Sequence, residues 1–198
     1  LHLLSRRQLQ MCKETVIKLS ESANSTFGIK SIDAECTGGI QPTAPKDLKI
    51  EFIGDSITCG YGVDDEVKEH HFSTATENAT KTYAFKTAEN LDADWSFVSF
   101  SGHGIISGYT DNGQKQTQQT VPPYYAKLGR SYGSKSGDFL VQDKDWDFNS
   151  FVPDVIVINL GTNDDSYCKG DDEKAMEYAE AYEPVSYTHL RAHETGRN

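Results

Sequence analysis

Three short apolar runs, each followed by a turn of glycine and polar residues, limit the fold of this chain more than any other feature. The runs are Leu48–Phe52, Trp95–Phe100 and Asp154–Leu160. The last run is almost continuously apolar, which is typical of a strand buried on both faces of a parallel sheet. Strands that alternate with loops and helices predict an α/β domain from about residue 47.

Two amphipathic helices are predicted beside these strands. The first spans about Lys81–Leu91, and the second begins near an N-cap at Asp171. Because such helices cover the faces of a parallel sheet, we predict a three-layer α/β/α sandwich with a mainly parallel sheet. The apolar positions are Tyr83, Ala84, Ala88 and Leu91 in the first helix, and Ala175, Met176, Ala179 and Tyr182 in the second.

The two ends of the chain differ from the α/β region at 47–184. Apolar and polar residues alternate in Thr15–Ser20 and Thr26–Ile32, which predicts two antiparallel strands. Two strands alone are not stable in water, so we interpret residues 1–40 as the end of a truncated β-sandwich domain, followed by a proline-containing linker at 41–46. Residues 185–198 resemble one reading frame of a sequencing-library adaptor, and we interpret them as a non-native tail; a polar native tail is the alternative.

Composition excludes several classes of partner. The net charge is -11, and the 19 Lys and Arg residues form no dense cluster, so we expect binding neither to nucleic acid nor to an anionic membrane. No apolar run approaches the roughly 18 residues of a membrane-spanning helix. The four cysteines, Cys12, Cys36, Cys59 and Cys168, lack metal-type spacing and leave the disulfide state open.

The turns after the three strands carry the residues that could perform chemistry. Ser56 closes the turn Gly54–Ser56, at the sheet edge where α/β folds expose reactive groups. Ser101–Gly104 and Gly161–Asp164 follow the second and third strands. Each turn alone is equally typical of a β-turn or a helix cap. Together they could supply a nucleophile and oxyanion donors, namely the Ser56 N–H, a glycine N–H and the Asn163 amide.

These three turns resemble the sequence blocks of the SGNH hydrolases, also called the GDSL family, over about Leu48–Tyr182. Phe52–Gly62 and Ser101–Ile105 are similar to carbohydrate esterase family two, whose members join a jelly-roll-like β-sandwich to an SGNH domain. The resemblance implies a secreted serine esterase that removes acetyl groups from carbohydrate through an acyl-serine intermediate, without a cofactor.

The resemblance also assigns roles to single residues. Ser56 is the nucleophile, and Gly102 and Asn163 complete the oxyanion hole. Gly104 is the alternative to Gly102, because spacing alone does not fix which glycine directs its N–H inward. Asp55 and Asp164 are expected to hold their own turns through backbone hydrogen bonds rather than to bind a metal. Gly54 and Gly161 have supporting roles, and candidate substrate contacts are His103, Tyr109, Tyr124 and Trp146, with Tyr125 a further loop aromatic.

The chain departs from the family at the last block, Asp-x-x-His, which supplies the general base. None of the six histidines lies three residues after an aspartate. We therefore predict that this chain has a nucleophile and an oxyanion hole but almost no esterase activity. Two alternatives stay open: a lipase or thioesterase acting on non-sugar esters, which the polar loop Ser107–Asn149 disfavours, and a carbohydrate-binding protein without catalysis.

Overall fold

A parallel sheet of three strands forms the centre of the structure, which is a computed structural model. The strands are β1 (Leu48–Gly54), β2 (Ala93–Ser99) and β3 (Val155–Asn159), in the spatial order β2-β1-β3. Both pairings are parallel, which confirms the predicted sheet type and all three strands. The structure describes residues 17–33, 39, 41–133 and 140–194, with side chains up to residue 186.

Five helices and two short 3₁₀ turns lie between and after the described strands. The first long helix is capped by the Thr82 hydroxyl and buries Ala84, Phe85 and Ala88. Leu91 is 55% exposed, contrary to the predicted apolar face, because the helix ends one residue before it. The helices are α1 (Ser56–Cys59), α2 (Tyr83–Asn90), α3 (Pro122–Tyr125), α4 (Thr162–Cys168) and α5 (Asp172–Glu194), and the 3₁₀ turns are Ala79–Lys81 and Val141–Asp143.

Apolar side chains cover both faces of the sheet because successive residues of a strand point to opposite sides. On one face, Ile50 and Phe52 of β1 pack with Ala84 and Ala88 of α2. On the other face, Ile53 packs in a second cluster, which comprises Ala23, Ile53, Phe100, Val121 and Tyr125. The sheet therefore separates two apolar layers, as an α/β fold requires.

The burial of β3 corrects the prediction that this strand is buried on both faces. It lies at an edge of the sheet, where Val155 is 44% exposed and the remaining residues are half-buried. The described part of the chain has no strand on its outer side. The central strand β1 has the fully buried pattern instead.

The contacts of α5 also differ from the prediction. Asp171 does accept hydrogen bonds from the N–H groups of Glu173 and Lys174. However, Ala175, Met176 and Ala179, which were predicted to face the core, are exposed. The helix packs on the domain through Tyr178, whose hydroxyl donates to the Leu160 carbonyl at 3.2 Å.

Residues 17–25 pack against the α/β domain instead of forming a strand. Ala23 lies in the core, the Ala79 N–H donates to the Leu19 carbonyl, and the Tyr132 N–H donates to the Ala23 carbonyl. No strand occurs anywhere in residues 17–33. The two predicted strands are thus not formed there: loops of the α/β domain bind the backbone at Leu19 and Ala23, and residues 27–33 are exposed. The first 16 residues lie outside the described ranges, and the separate domain at 1–40 stays a prediction.

The last helix covers most of the stretch that we interpret as a non-native tail. Helix α5 continues through Pro184 to Glu194, and the origin of residues 185–198 stays a prediction. Cys12 and Cys36 lie outside the described residues, whereas Cys59 and Cys168 are buried free thiols. Among the described helices, none combines the length and the apolar character needed to cross a membrane.

Candidate active site

The three glycine-containing turns meet at one edge of the sheet. Gly54, the last residue of β1, is in register with Ser99 at the end of β2 and with Asn159 at the end of β3. Because the strands are parallel, the residues that follow all three leave the sheet on the same side. The turns at 54–56, 101–104 and 161–164, far apart in sequence, are thereby adjacent in space.

Ser56 is the first residue of α1, directly after β1. Asp55 caps this helix, since its Oδ1 accepts from the Ile57 N–H at 3.0 Å. A Cβ atom at Gly54 would lie 2.0 Å from Thr58 Oγ1, so this tight turn requires glycine. Ser56 itself is half-buried, and its hydroxyl makes no hydrogen bond with a described residue. The hydroxyl is thus available to a substrate or a base.

The two glycines proposed for the oxyanion hole have different environments. The Gly104 N–H donates to the Gln119 carbonyl at 3.2 Å, and a Cβ atom there would lie 2.1 Å from the Ser107 carbonyl oxygen. Gly102 has φ +76° and open space where a Cβ atom would be. Its N–H donates to no described residue. Of the two, therefore, only Gly102 has a free N–H to offer a ligand.

Asn163 links the third turn to the other two. Its side-chain Nδ2 donates to the His103 carbonyl at 2.7 Å and lies 3.4 Å from Asp55 Oδ2. The second contact is at the long limit for a hydrogen bond and is correspondingly weak. The second amide hydrogen of this buried side chain is therefore only weakly bound and can be shared with a ligand while the first keeps its bond.

The prediction that Asp164 holds its own turn is wrong. Asp164 instead holds the loop after β2. Its carboxylate accepts hydrogen bonds at 2.8–3.0 Å from the N–H groups of Ile105, Ile106 and Ser107. The side chain is almost completely buried. Asp164 thus fixes the second turn relative to α4, a contact between residues nearly 60 positions apart.

Gly161 and Asp55, the remaining supporting residues, also occupy constrained positions. Gly161 has φ +124°, and a Cβ atom there would approach the Tyr178 hydroxyl to 2.7 Å. Burial raises the pKa of Asp55, the Ile57 N–H lowers it, and the negative charge of Asp164 raises it further. Asp55 and Asp164 are thus both buried and near enough for the charge of Asp164 to act on Asp55.

His103 is completely buried, which removes it from contact with a substrate in solution. Its Nδ1 lies 3.0 Å from the Ser101 carbonyl oxygen, an acceptor, so Nδ1 carries the proton. Burial lowers the pKa of His103, and the positive charge of Arg130 lowers it further. This histidine is therefore neutral, and it has no hydrogen bond to Ser56.

The loop aromatics occupy different environments. Tyr109 is 60% exposed, and its N–H donates to the Gly102 carbonyl at 2.9 Å. Tyr124 and Trp146 are half-buried. The Tyr125 hydroxyl donates to the buried Glu51 carboxylate at 2.7 Å, which makes it a core residue. Tyr109 is thus the candidate aromatic that combines exposure with a position beside the turn Ser101–Gly104, called the glycine turn below.

Sequence reasoning missed Glu21. Its Oε2 accepts from the Ser101 N–H at 2.7 Å and from the Cys59 thiol at 3.7 Å, and its Oε1 accepts from the Asn24 amide at 2.8 Å. In the sequence, a glutamate among alternating polar and apolar residues is typical of a solvent-facing position. Because the contact with Ser101 spans 80 residues, no local pattern could have revealed it.

Glu21, Cys59 and Glu77 are the described residues that could hold a metal ion, since their ligand atoms lie within 4.8 Å of one another. A metal requires the thiolate form of cysteine. Burial raises the pKa of the Cys59 thiol well above its usual value, and the charge of Glu21 raises it further. With the Lys18 ammonium also nearby, this cluster fits a buried polar network better than a metal site.

Glu77 is the member of this network without hydrogen bonds. Its side chain is 2% exposed, and neither carboxylate oxygen has a partner among the described residues. Burial first, and the negative charge of Glu21 second, raise the pKa of Glu77 to about 7. The nearby Glu21 N–H and the Lys18 ammonium act in the opposite direction. Glu77 therefore changes its charge near neutral pH.

The raised pKa of Glu77 predicts that stability falls as the pH rises from about 4.5 to 7. Its folded pKa lies above the usual value of 4.5, so the stabilisation is complete below about pH 4.5 and disappears as the pH rises through 7. The loss is on the order of 3 kcal/mol. Urea unfolding at pH 5 to 8 measures it, and the Glu77→Gln variant should lack this component. Equal pH slopes in the two proteins would contradict the assignment.

Comparison with known proteins identifies the family. A family model for GDSL-like lipases and acylhydrolases matches residues 50–193. The chain belongs to this family. Cellulase/esterase CelE of Acetivibrio thermocellus is 41% identical over 133 residues, which cover 66% of this chain and 15% of CelE. An acetylxylan esterase / glucomannan deacetylase of Cellvibrio japonicus is 30% identical over 149 residues, covering 75% of this chain and 38% of the relative.

Solved structures point to the same group. A family two carbohydrate esterase from Clostridium thermocellum in complex with cellohexaose has a TM-score of 0.59 at 35% identity, covering 78% of this chain and 42% of that one. An acetyl xylan esterase from Butyrivibrio proteoclasticus has a TM-score of 0.67 at 27% identity, covering 80% and 47%. The resemblance to carbohydrate esterase family two is confirmed. The chain spans less than half the length of each of these relatives.

Proposed function

We propose that this chain carries the nucleophile and oxyanion donors of a serine esterase that removes acetyl groups from carbohydrate. The proposal rests on one observation: three hydrogen-bonding groups that have no partner, or only a weak one, lie at the same edge of the sheet. These groups are the Ser56 hydroxyl, the Gly102 N–H and one amide hydrogen of Asn163. The acetylxylan esterases among the relatives support the reaction and the substrate class.

The proposed reaction proceeds through an acetyl-serine. The Ser56 oxygen attacks the acetyl carbonyl carbon while a base takes the hydroxyl proton. Negative charge then develops on the carbonyl oxygen, where the N–H groups of Ser56, Gly102 and Asn163 stabilise it. The intermediate collapses, the sugar hydroxyl leaves with the proton, and water hydrolyses the acetyl-serine by the same route.

The base in this proposal lies outside the described side chains. His103 is excluded because it is completely buried and because neither of its ring nitrogens has a hydrogen bond to Ser56. His70 is exposed and pairs with Asp65. The Asp-x-x-His block of the family is the source that we propose for the base in the complete enzyme.

Three properties of the chain support a sugar substrate over a lipid. The net charge of -11 suits a neutral substrate. The loop Ser107–Asn149 is rich in polar residues, whereas an acyl chain requires an apolar groove. The exposed ring of Tyr109 beside Gly102 suits stacking against a sugar ring. We therefore propose acetylated plant-wall polysaccharide, or its oligomers, as the substrate, and secretion of the full-length protein to reach it.

Replacing Asn163 by alanine tests the oxyanion hole. In a version of the chain extended to a natural C-terminus containing Asp-x-x-His, we expect turnover of acetylated xylo-oligosaccharides to fall roughly 100- to 1000-fold. Acetate release measures the rate. The Asn149→Ala variant, at an exposed loop position, is the control. Near-normal turnover in the Asn163 variant would remove this residue from the oxyanion hole.

A second candidate function is carbohydrate binding without catalysis. It is favoured by the lack of a described base for Ser56. A related carbohydrate esterase, 26% identical with a TM-score of 0.59, is also described as having divergent catalytic and non-catalytic binding functions in its active site. Calorimetric titration with cello-oligosaccharides distinguishes the two. Micromolar binding by the extended protein, without acetate release from any acetylated sugar, would support this second function.

We also propose that residues 1–40 derive from a β-sandwich domain that precedes the esterase domain. Phe27, Ile29 and Ile32 are exposed, and several exposed apolar side chains this near in sequence suit a surface that another domain covers. A structure of the longer protein tests the proposal. Strands that pair with residues 26–32 and cover these side chains are the expected result.

A further inference from the structure

Two buried ionisable side chains that the proposed reaction does not use converge on one residue of the glycine turn. The Glu21 carboxylate accepts the Ser101 N–H at 2.7 Å. The His103 Nδ1–H donates to the Ser101 carbonyl at 3.0 Å. Both side chains are more than nine-tenths buried. Ser101 is therefore held at both of its backbone polar groups, directly before Gly102.

The geometry of the peptide unit connects this anchoring to the oxyanion hole. The Ser101 carbonyl and the Gly102 N–H belong to one planar peptide group and point in opposite directions. A hydrogen bond that directs the carbonyl toward His103 thus directs the Gly102 N–H away from it. Glycine permits many backbone conformations, so Gly102, with φ +76°, does not fix this direction alone.

Glu21 also contacts the helix that begins with the nucleophile. Its Oε2 accepts from the thiol of Cys59, the last residue of α1, and its Oε1 accepts from the Asn24 amide. A hydrogen bond from an N–H to a buried carboxylate is stronger than one to a neutral acceptor, because the acceptor is charged and the surroundings have a low dielectric constant. Glu21 thereby connects α1 to the glycine turn at a fixed distance.

On the basis of the proposed esterase function, we propose that Glu21 and His103 are positioning residues that direct the Gly102 N–H into the oxyanion hole. Glu21 precedes the region that the family model matches, residues 50–193. The segment 17–25 is then a part of the active site that the α/β domain cannot supply itself. Neither residue touches the reacting atoms, and each acts through the Ser101–Gly102 peptide.

Amide resonances of the 198-residue chain test the positioning directly and need no activity. Glu21→Gln keeps the shape of the side chain and removes its charge. His103→Leu removes the donor, and His103→Asn keeps one near the position of Nδ1. We expect the Ser101 amide to exchange with solvent about 10- to 100-fold faster in Glu21→Gln. The Gly102 resonance should shift in His103→Leu and return in His103→Asn.

Control variants separate this effect from general destabilisation. Glu89→Gln, at an exposed position of α2, should leave both amides unchanged. If Glu21→Gln unfolds, Asn24→Ala removes one donor to the same carboxylate and should produce a smaller change at Ser101. Unchanged Ser101 and Gly102 resonances in folded Glu21 and His103 variants would overturn the proposal.

The kinetic measurement uses the extended chain. We expect kcat for acetyl-ester hydrolysis to fall about 10- to 100-fold in Glu21→Gln and in His103→Leu, with KM almost unchanged and recovery in His103→Asn. A change in KM alone would contradict a role in the transition state. Full activity after Ser56→Ala would instead refute the esterase mechanism, while the amide measurements on Ser101 would still stand.

Discussion

Replacing Ser56 by alanine is expected to abolish hydrolysis of acetylated sugars by the extended chain, with a loss of at least about 10,000-fold in kcat. The variant lacks the oxygen that forms the acetyl-enzyme. Its fold should not change, because the Ser56 hydroxyl makes no hydrogen bond with a described residue and the side chain is only half-buried. Acetate release and thermal unfolding, measured on the same preparation, check both statements.

Ser73 provides a matched control for this substitution. It is an exposed serine in the loop after α1, so Ser73→Ala makes the same chemical change away from the site and should retain full activity. A fluorophosphonate probe should label the extended chain, but not its Ser56→Ala form. Persistent acetate release or labelling in the Ser56 variant would assign the nucleophile to another residue.

Much of the site near Ser56 could be predicted because its structure is set by neighbouring residues. Gly54 makes the tight turn, Asp55 caps α1, and both act within four residues of the serine. The position of the other two turns followed from the parallel sheet, since parallel strands bring their carboxyl ends to one edge. Local sequence and strand order are therefore sufficient to locate this edge.

The contacts that hold the turns in place could not be predicted. Asp164 binds N–H groups nearly 60 residues away, and Glu21 binds one 80 residues away. Neither residue type is typical of a buried position, and each becomes buried only because several segments meet around it. The choice between Gly102 and Gly104 likewise depends on the Gln119 carbonyl, which accepts only the second N–H.

The wrong predictions concern burial and pairing, which depend on neighbours that periodicity does not identify. An apolar run such as β3 indicates a strand, but its place at the sheet edge depends on the strand order. Alternation in residues 17–33 is typical of a half-exposed extended chain, but residues 17–25 bind to loops and residues 27–33 are exposed, with no partner strand among the described residues. Periodicity thus identifies the type of segment more reliably than its environment.

The 198-residue chain is expected to hydrolyse acetyl esters at least about 1000-fold more slowly than the version extended to a natural C-terminus containing Asp-x-x-His. A serine hydroxyl is a weak nucleophile near neutral pH unless a base takes its proton. The described side chains bring no base to Ser56, since its hydroxyl has no hydrogen bond to any of them and His103 is completely buried.

The residual rate of the shorter chain is informative in itself. An oxyanion hole and substrate binding alone leave about 1000- to 10,000-fold acceleration over water when triad members are removed. If Gly102 and Asn163 are in place, the chain should retain a rate in that range, and Asn163→Ala should reduce it. Comparable rates in the short and extended chains that disappear in His103→Ala would identify His103 as the base. That result would require the unpartnered Nε2 of the buried His103 to reach Ser56, so it would replace the positioning role with a catalytic one.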